Sequence, residues 1–80
     1  MEEQIRKILA EYGRLAIDAT AVAEGGDLYQ AGMTSHASVN VMLALEGTFD
    51  IEFPDRMLRR NVFESIAAIK AAVQELSVDR

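Results

Sequence analysis

The chain has 80 residues, half of them hydrophobic, with one proline, five glycines, no cysteine and a formal net charge of −5. That length supports one domain over residues 1–80, with a modest core and little room for an enclosed active site. The lack of cysteine excludes disulfides and thiolate metal sites and fits a reducing, cytoplasmic setting; the acidic balance argues against nucleic acid, and no apolar run approaches a membrane span.

Met1-Glu2-Glu3 has neither the positive segment nor the apolar stretch of a secretion signal, so a cytoplasmic protein is expected. From Glu2 to Ala16 the apolar residues Ile5, Ile8, Leu9, Tyr12 and Leu15 share one helical face, and charged residues fill the other. Gly13 weakens the last turn of this first helix by about 1 kcal/mol relative to alanine. Periodicity is lost from Ile17 to Thr34, where Asp18, Gly25-Gly26, Asp27 and Gly32 mark a long loop. Such a loop must be pinned by its own side chains, and Ile17, Val22, Leu28 and Met33 are the expected pins.

Thr34 is a good N-cap for a second helix running to about Thr48, with Val41, Met42, Leu45 and Phe49 facing the core. Asp50 to Asp55 form a connection containing Pro54, and Arg56 to Arg60 are expected to make one short helical turn. Asn61, with Glu64 three residues on, has the capping-box spacing for a last helix buried through Val62, Ile66, Ile69, Val73 and Leu76. The expected fold is all-α: a bundle of three main helices and one short third helix, with the long loop between helices one and two.

Enzymatic constellations are scarce. His36 is the single histidine, and its neighbour Ser35 points elsewhere on a helix, so a serine–histidine nucleophile pair is not expected. One histidine without cysteine makes no usual zinc site. Helix two nevertheless carries more apolar residues than its core face needs. Val39 and Leu43 lie about 100° or more from the middle of the core arc, on a side shared with His36 and bordered by Ser35. Such a stripe either docks a partner or lies under another part of the chain. Ser35 itself falls in the first turn, where free N–H groups and the helix dipole would stabilise an esterified phosphate; a plain capping role is the alternative.

The residues around Ser35 separate these readings. Asp27-Leu28-Tyr29-Gln30-Ala31-Gly32-Met33-Thr34-Ser35 resembles the Asp-Leu, three residues, Gly, apolar, Asp-Ser-Leu pattern of acyl and peptidyl carrier proteins. Leu45-Glu46 and Phe49-Asp50-Ile51-Glu52-Phe53-Pro54 resemble that family's run after helix two, and Val62-Phe63-Glu64-Ser65-Ile66 its entry to the last helix. The likeness extends from Asp27 to about Ile69. It implies an acyl-carrier-protein-like four-helix bundle that performs no catalysis itself. It further implies that a phosphopantetheinyl transferase attaches 4'-phosphopantetheine from coenzyme A to Ser35, and that cargo is carried as a thioester.

Two positions depart from the pattern: Thr34 stands where the family usually has Asp, and His36 where it usually has Leu. Helix two also holds one acid, Glu46, where fatty-acid carriers usually have more. The Asp-Leu-Tyr-x-Ala-Gly stretch and the Phe49–Asp55 run are similar to stand-alone aminoacyl carrier proteins. Those are served by ligases resembling the catalytic core of class II seryl-tRNA synthetases, which load glycine or alanine. The resemblance implies such a ligase as partner, with Thr34, His36, Val39, Leu43 and Glu46 as the docking positions on a monomer. Two other readings compete: a carrier for fatty-acid or polyketide synthesis, and an unmodified helical interaction module.

Overall fold

A computed structural model describes the backbone over residues 1–78 and the side chains over residues 1–77. Three α-helices carry the fold: α1 (Glu2–Tyr12), α2 (Ser35–Phe49) and α3 (Ile66–Val78). Three short 3-10 turns join them, at Ala19–Ala21, Asp55–Met57 and Arg60–Phe63, and there is no strand among the described residues. The expected all-α bundle is therefore present, with 3-10 turns in place of the short third helix.

Helix α1 lies against both α2 and α3. Ile5, Ile8 and Leu9 bury its inner face, as their spacing predicts. The helix stops at Tyr12 rather than Ala16. The Gly13 N–H closes on the Leu9 carbonyl at 2.8 Å, and Arg14 then turns left-handed at φ 52°. The Ala16 N–H is taken by the Ala31 carbonyl at 2.8 Å, which draws the chain into the loop. Tyr12 is consequently exposed, and Leu15 reaches the core from outside the helix.

The long loop is stitched down by backbone groups. Arg6 of α1 donates from Nη1 to the carbonyls of Ala19 and Val22, at 2.8 and 2.7 Å. At the other side the Leu28 N–H donates to the Glu64 carbonyl at 2.7 Å, and the Ala67 N–H to the Glu24 carbonyl at 2.9 Å. These bonds satisfy backbone that would otherwise carry unpaired polar groups into the interior. Val22, Leu28 and Met33 pin the loop as expected, but Ile17 does not: it is 53% exposed. Asp18 caps the turn at Ala19–Ala21, accepting from the Thr20 N–H and hydroxyl at 2.9 and 2.7 Å, and Ala19 takes the buried place instead. These bonds, the backbone one foremost, hold the Asp18 carboxyl below its ordinary pKa.

The entry to α3 also differs from the capping-box expectation. Neither Asn61 nor Glu64 caps the helix. Residues Arg60–Phe63 form a 3-10 turn, and the Ser65 hydroxyl accepts from the Ala68 N–H at 3.0 Å. The turn delivers Phe63 into the core against Phe53, with ring centroids 5.3 Å apart and planes tilted by 58°. Beyond it, Ile66, Ile69 and Val73 are fully buried, while Val62 and Leu76 pack at the core's edge. Burial of each such side chain contributes about 1.5–3 kcal/mol.

Candidate functional site

The segment before α2 is shaped by local chemistry that the sequence makes visible. Asp27 Oδ1 accepts from the N–H groups of Tyr29 and Gln30 at 2.9 and 3.3 Å, closing a turn. Leu28 is buried beneath it. The turn ends at Gly32, with φ +117°. A Cβ there would lie 2.8 Å from the Ala16 nitrogen, so both dihedral and space require glycine. Thr34 then caps α2, its Oγ1 accepting from the Ala37 N–H at 3.0 Å. Ser35 is the first helical residue, and its side chain is exposed.

The N–H groups of Ser35 and His36 have no intramolecular partner among the described residues, and no acid lies in the first turn. A negatively charged group on Ser35 would therefore meet the positive end of the helix dipole without a competing carboxylate in that turn. Ser38 Oγ donates to the Ser35 carbonyl at 2.6 Å, bracing this turn.

The other expected positions fall into two groups. His36, Val39 and Leu43 are exposed together on α2, with Val39 at 49% and Leu43 at 55%, so no part of the described chain covers the stripe. Thr34 and Glu46 have structural work besides. Glu46 Oε2 accepts from the Phe53 N–H at 2.8 Å, tying the connection after α2 back onto the helix. Of the expected core arc, Val41 and Leu45 are fully buried with Ala37, whereas Met42 and Phe49 are only partly covered.

Met42 is partly covered because an open groove of about 310 Å³ begins at Ser35. Helix α2 lines it with Ser35, Ser38, Val39 and Met42; the connection to α3 contributes Leu58, Arg59, Arg60 and Phe63; the first loop contributes Tyr29. The Arg60 guanidinium stacks over the Tyr29 ring, 3.9 Å from its centroid, and the Tyr29 hydroxyl donates to the Arg60 carbonyl at 3.0 Å. Leu58, 48% exposed, adds an apolar wall that sequence periodicity does not single out. Its one signal is a leucine between two short turns, outside any helical stripe.

A serine exposed at a helix start beside a mainly apolar groove suits a long covalent substituent. A family model described as phosphopantetheine attachment site matches residues 3–73. The chain belongs to this family. It is 49% identical over 74 residues to the aminoacyl carrier protein of Agrobacterium fabrum (strain C58 / ATCC 33970), spanning 92% of this chain and 89% of that protein. The fold matches a carrier protein from Agrobacterium tumefaciens crystallised with an engineered Bradyrhizobium japonicum glycine:[carrier protein] ligase and AMP. The TM-score is 0.90 at 49% identity, over 92% of this chain and 99% of that one. A more distant match, with TM-score 0.76 and 25% identity, is to a structure of the Bradyrhizobium japonicum ligase complexed with glycylated carrier protein; it covers 89% of this chain and 95% of that one. The resemblance noted in the sequence is thus carried by most of the chain, helices included. No helix among the described residues is long and apolar enough to cross a membrane.

Proposed function

We propose that this carrier holds a small amino acid, glycine or alanine, on 4'-phosphopantetheine esterified to Ser35, and that it works in the cytoplasm without doing bond chemistry of its own. When bound, that group supplies a terminal thiol on which cargo is held as a thioester. The observation that carries the reading is the exposure of Ser35 at the start of α2, in a chain 49% identical to an aminoacyl carrier protein. The residues present fit the group. The free N–H groups of the first turn favour its phosphate, Thr34 and Ser38 hold that turn rigid, and the groove offers apolar surface beside the attachment point.

The partners follow from the same surface. A phosphopantetheinyl transferase must reach Ser35, and an amino acid:carrier protein ligase of the seryl-tRNA synthetase-like kind must dock beside it. His36, Val39 and Leu43 are exposed there and form the proposed footprint, with Thr34 and Glu46 at its margins. Tethering raises the cargo's effective concentration at each docked enzyme.

The test is intact mass after incubation with coenzyme A, magnesium and a broad-specificity transferase. Wild type should gain one phosphopantetheine and Ser35→Ala none. The loaded chain, given ATP and a glycine:carrier protein ligase, should then gain one glycyl or alanyl group. Acylation by malonyl or fatty-acyl enzymes without aminoacylation would replace the amino-acid reading with the fatty-acid one. No phosphopantetheine on protein from its native source would end the carrier reading.

A further inference from the structure

The groove beside Ser35 has a charge opposite to that of the molecule. The whole chain carries 13 acidic residues against 8 lysines and arginines, yet among the described residues no acid lines the groove. Among the described residues its charged lining is Arg59 and Arg60. Neither forms an ion pair with a carboxylate among the described residues, whereas the nearby Arg56 pairs with Glu75 at 3.2 Å. Arg60 is also held in place, stacked on Tyr29. Arginine stays protonated at any physiological pH, so this positive potential is permanent. The remaining lining is largely apolar, from Val39, Met42, Leu58 and Phe63.

We propose that Arg59 and Arg60 make this groove a charge filter on cargo: it admits an uncharged chain tethered at Ser35 and excludes an aminoacyl end, whose ammonium group is kept in solvent. The inference rests on the amino-acid carrier reading above. Ser35 is itself part of the lining, so a substituent on it starts at the groove. An uncharged chain loses little on entering an apolar channel and gains by covering exposed Val39 and Leu58. The α-ammonium of an aminoacyl thioester is charged at neutral pH. In the groove it would lose water, find no carboxylate among the described residues, and face two guanidinium groups. The phosphodiester on Ser35 offsets one of the two positive charges, so the groove stays net positive and like-charge repulsion lowers the ammonium's occupancy there. The cargo's amine and its thioester then remain where an acceptor enzyme can reach them. A carrier of neutral acyl chains would gain from the reverse arrangement.

Glycyl and propionyl groups test this directly, since they differ only in an ammonium group where the other has a methyl. Amide-linked, hydrolysis-resistant phosphopantetheine analogues bearing each would be loaded on Ser35 of the 15N-labelled chain, with loading verified by mass. The readout is the amide shifts of Val39, Met42, Leu58 and Phe63 relative to unloaded protein. The propionyl form should move them, and the glycyl form should move them several-fold less. In Arg59→Glu/Arg60→Glu the glycyl form should approach the propionyl one. Because that variant loses the Tyr29 stack, Arg59→Gln provides the second comparison and should be intermediate; the propionyl form of each variant reports whether the groove survives. Equal groove shifts for the two cargoes in wild type, or none for either, would overturn the proposal while leaving the carrier reading intact. Failure of both analogues to load on Ser35, together with no phosphopantetheine on protein from its native source, would instead remove the carrier reading and this inference with it.

Discussion

The two sides of α2 carry similar residues to different ends. On one, Ala37, Val41 and Leu45 are each 0% exposed; on the other, Val39 and Leu43 are 49% and 55% exposed. The buried side contributes stability through area removed from water. The outer side leaves apolar area in water next to an exposed serine, as a docking surface would. Apolar content alone does not distinguish them. What decides is where α1 lies: it covers one side of α2, and no described element covers the other.

That contrast can be broken first at the buried side. Leu45→Ala removes a fully buried side chain and should cost about 2–5 kcal/mol, read as a lower urea midpoint. A loss under about 1 kcal/mol would mean that this side is not the core the structure describes. Next in size is Gly32→Ala, at about 2 kcal/mol, because the alanine would need φ +117° and would press its Cβ on the Ala16 backbone. Thr34→Ala should cost about 1 kcal/mol through the lost cap to the Ala37 N–H. Both substitutions act on the segment that presents Ser35, so thermal melts should be paired with transferase rates. If loading were to slow far more than stability falls, the segment would be shown to position the serine as well as to hold the fold.

The same segment marks how far the fold is legible in the amino-acid sequence. Thr34 is readable as a cap, and Asp27 as part of a turn-marked loop, because both rest on bonds within a few residues. The same reasoning fails at Asn61 and Glu64. Their spacing is right for a capping box, but Phe63 must reach Phe53, the turn tightens to 3-10, and Ser65 offers the cap instead. It fails again at the end of α1, where the apolar period continues to Leu15. Leu15 does meet the core, yet a bond from Ala16 to Ala31 has already turned the chain. The groove is least legible of all. Tyr29, Val39 and Arg60 come from three separate elements, and only the folded chain sets two arginines beside Ser35.

The smallest expected effect on stability is the sharpest test of the comparison. Leu43 is more than half exposed, so Leu43→Ser should change stability by no more than about 0.5 kcal/mol. If the outer side of α2 docks the ligase, the same substitution should lower aminoacylation by several-fold through a higher KM. Phosphopantetheine would still appear on Ser35 by mass, which separates docking from attachment. His36→Ala and Val39→Ser, on the same stripe, should act in the same direction. Should Leu43→Ser destabilise the chain as Leu45→Ala does, the stripe would belong to the core and the two sides of α2 would not differ. Should it change neither stability nor KM, the exposed apolar surface would have no part in ligase recognition, and the footprint would have to lie nearer the groove and its arginines.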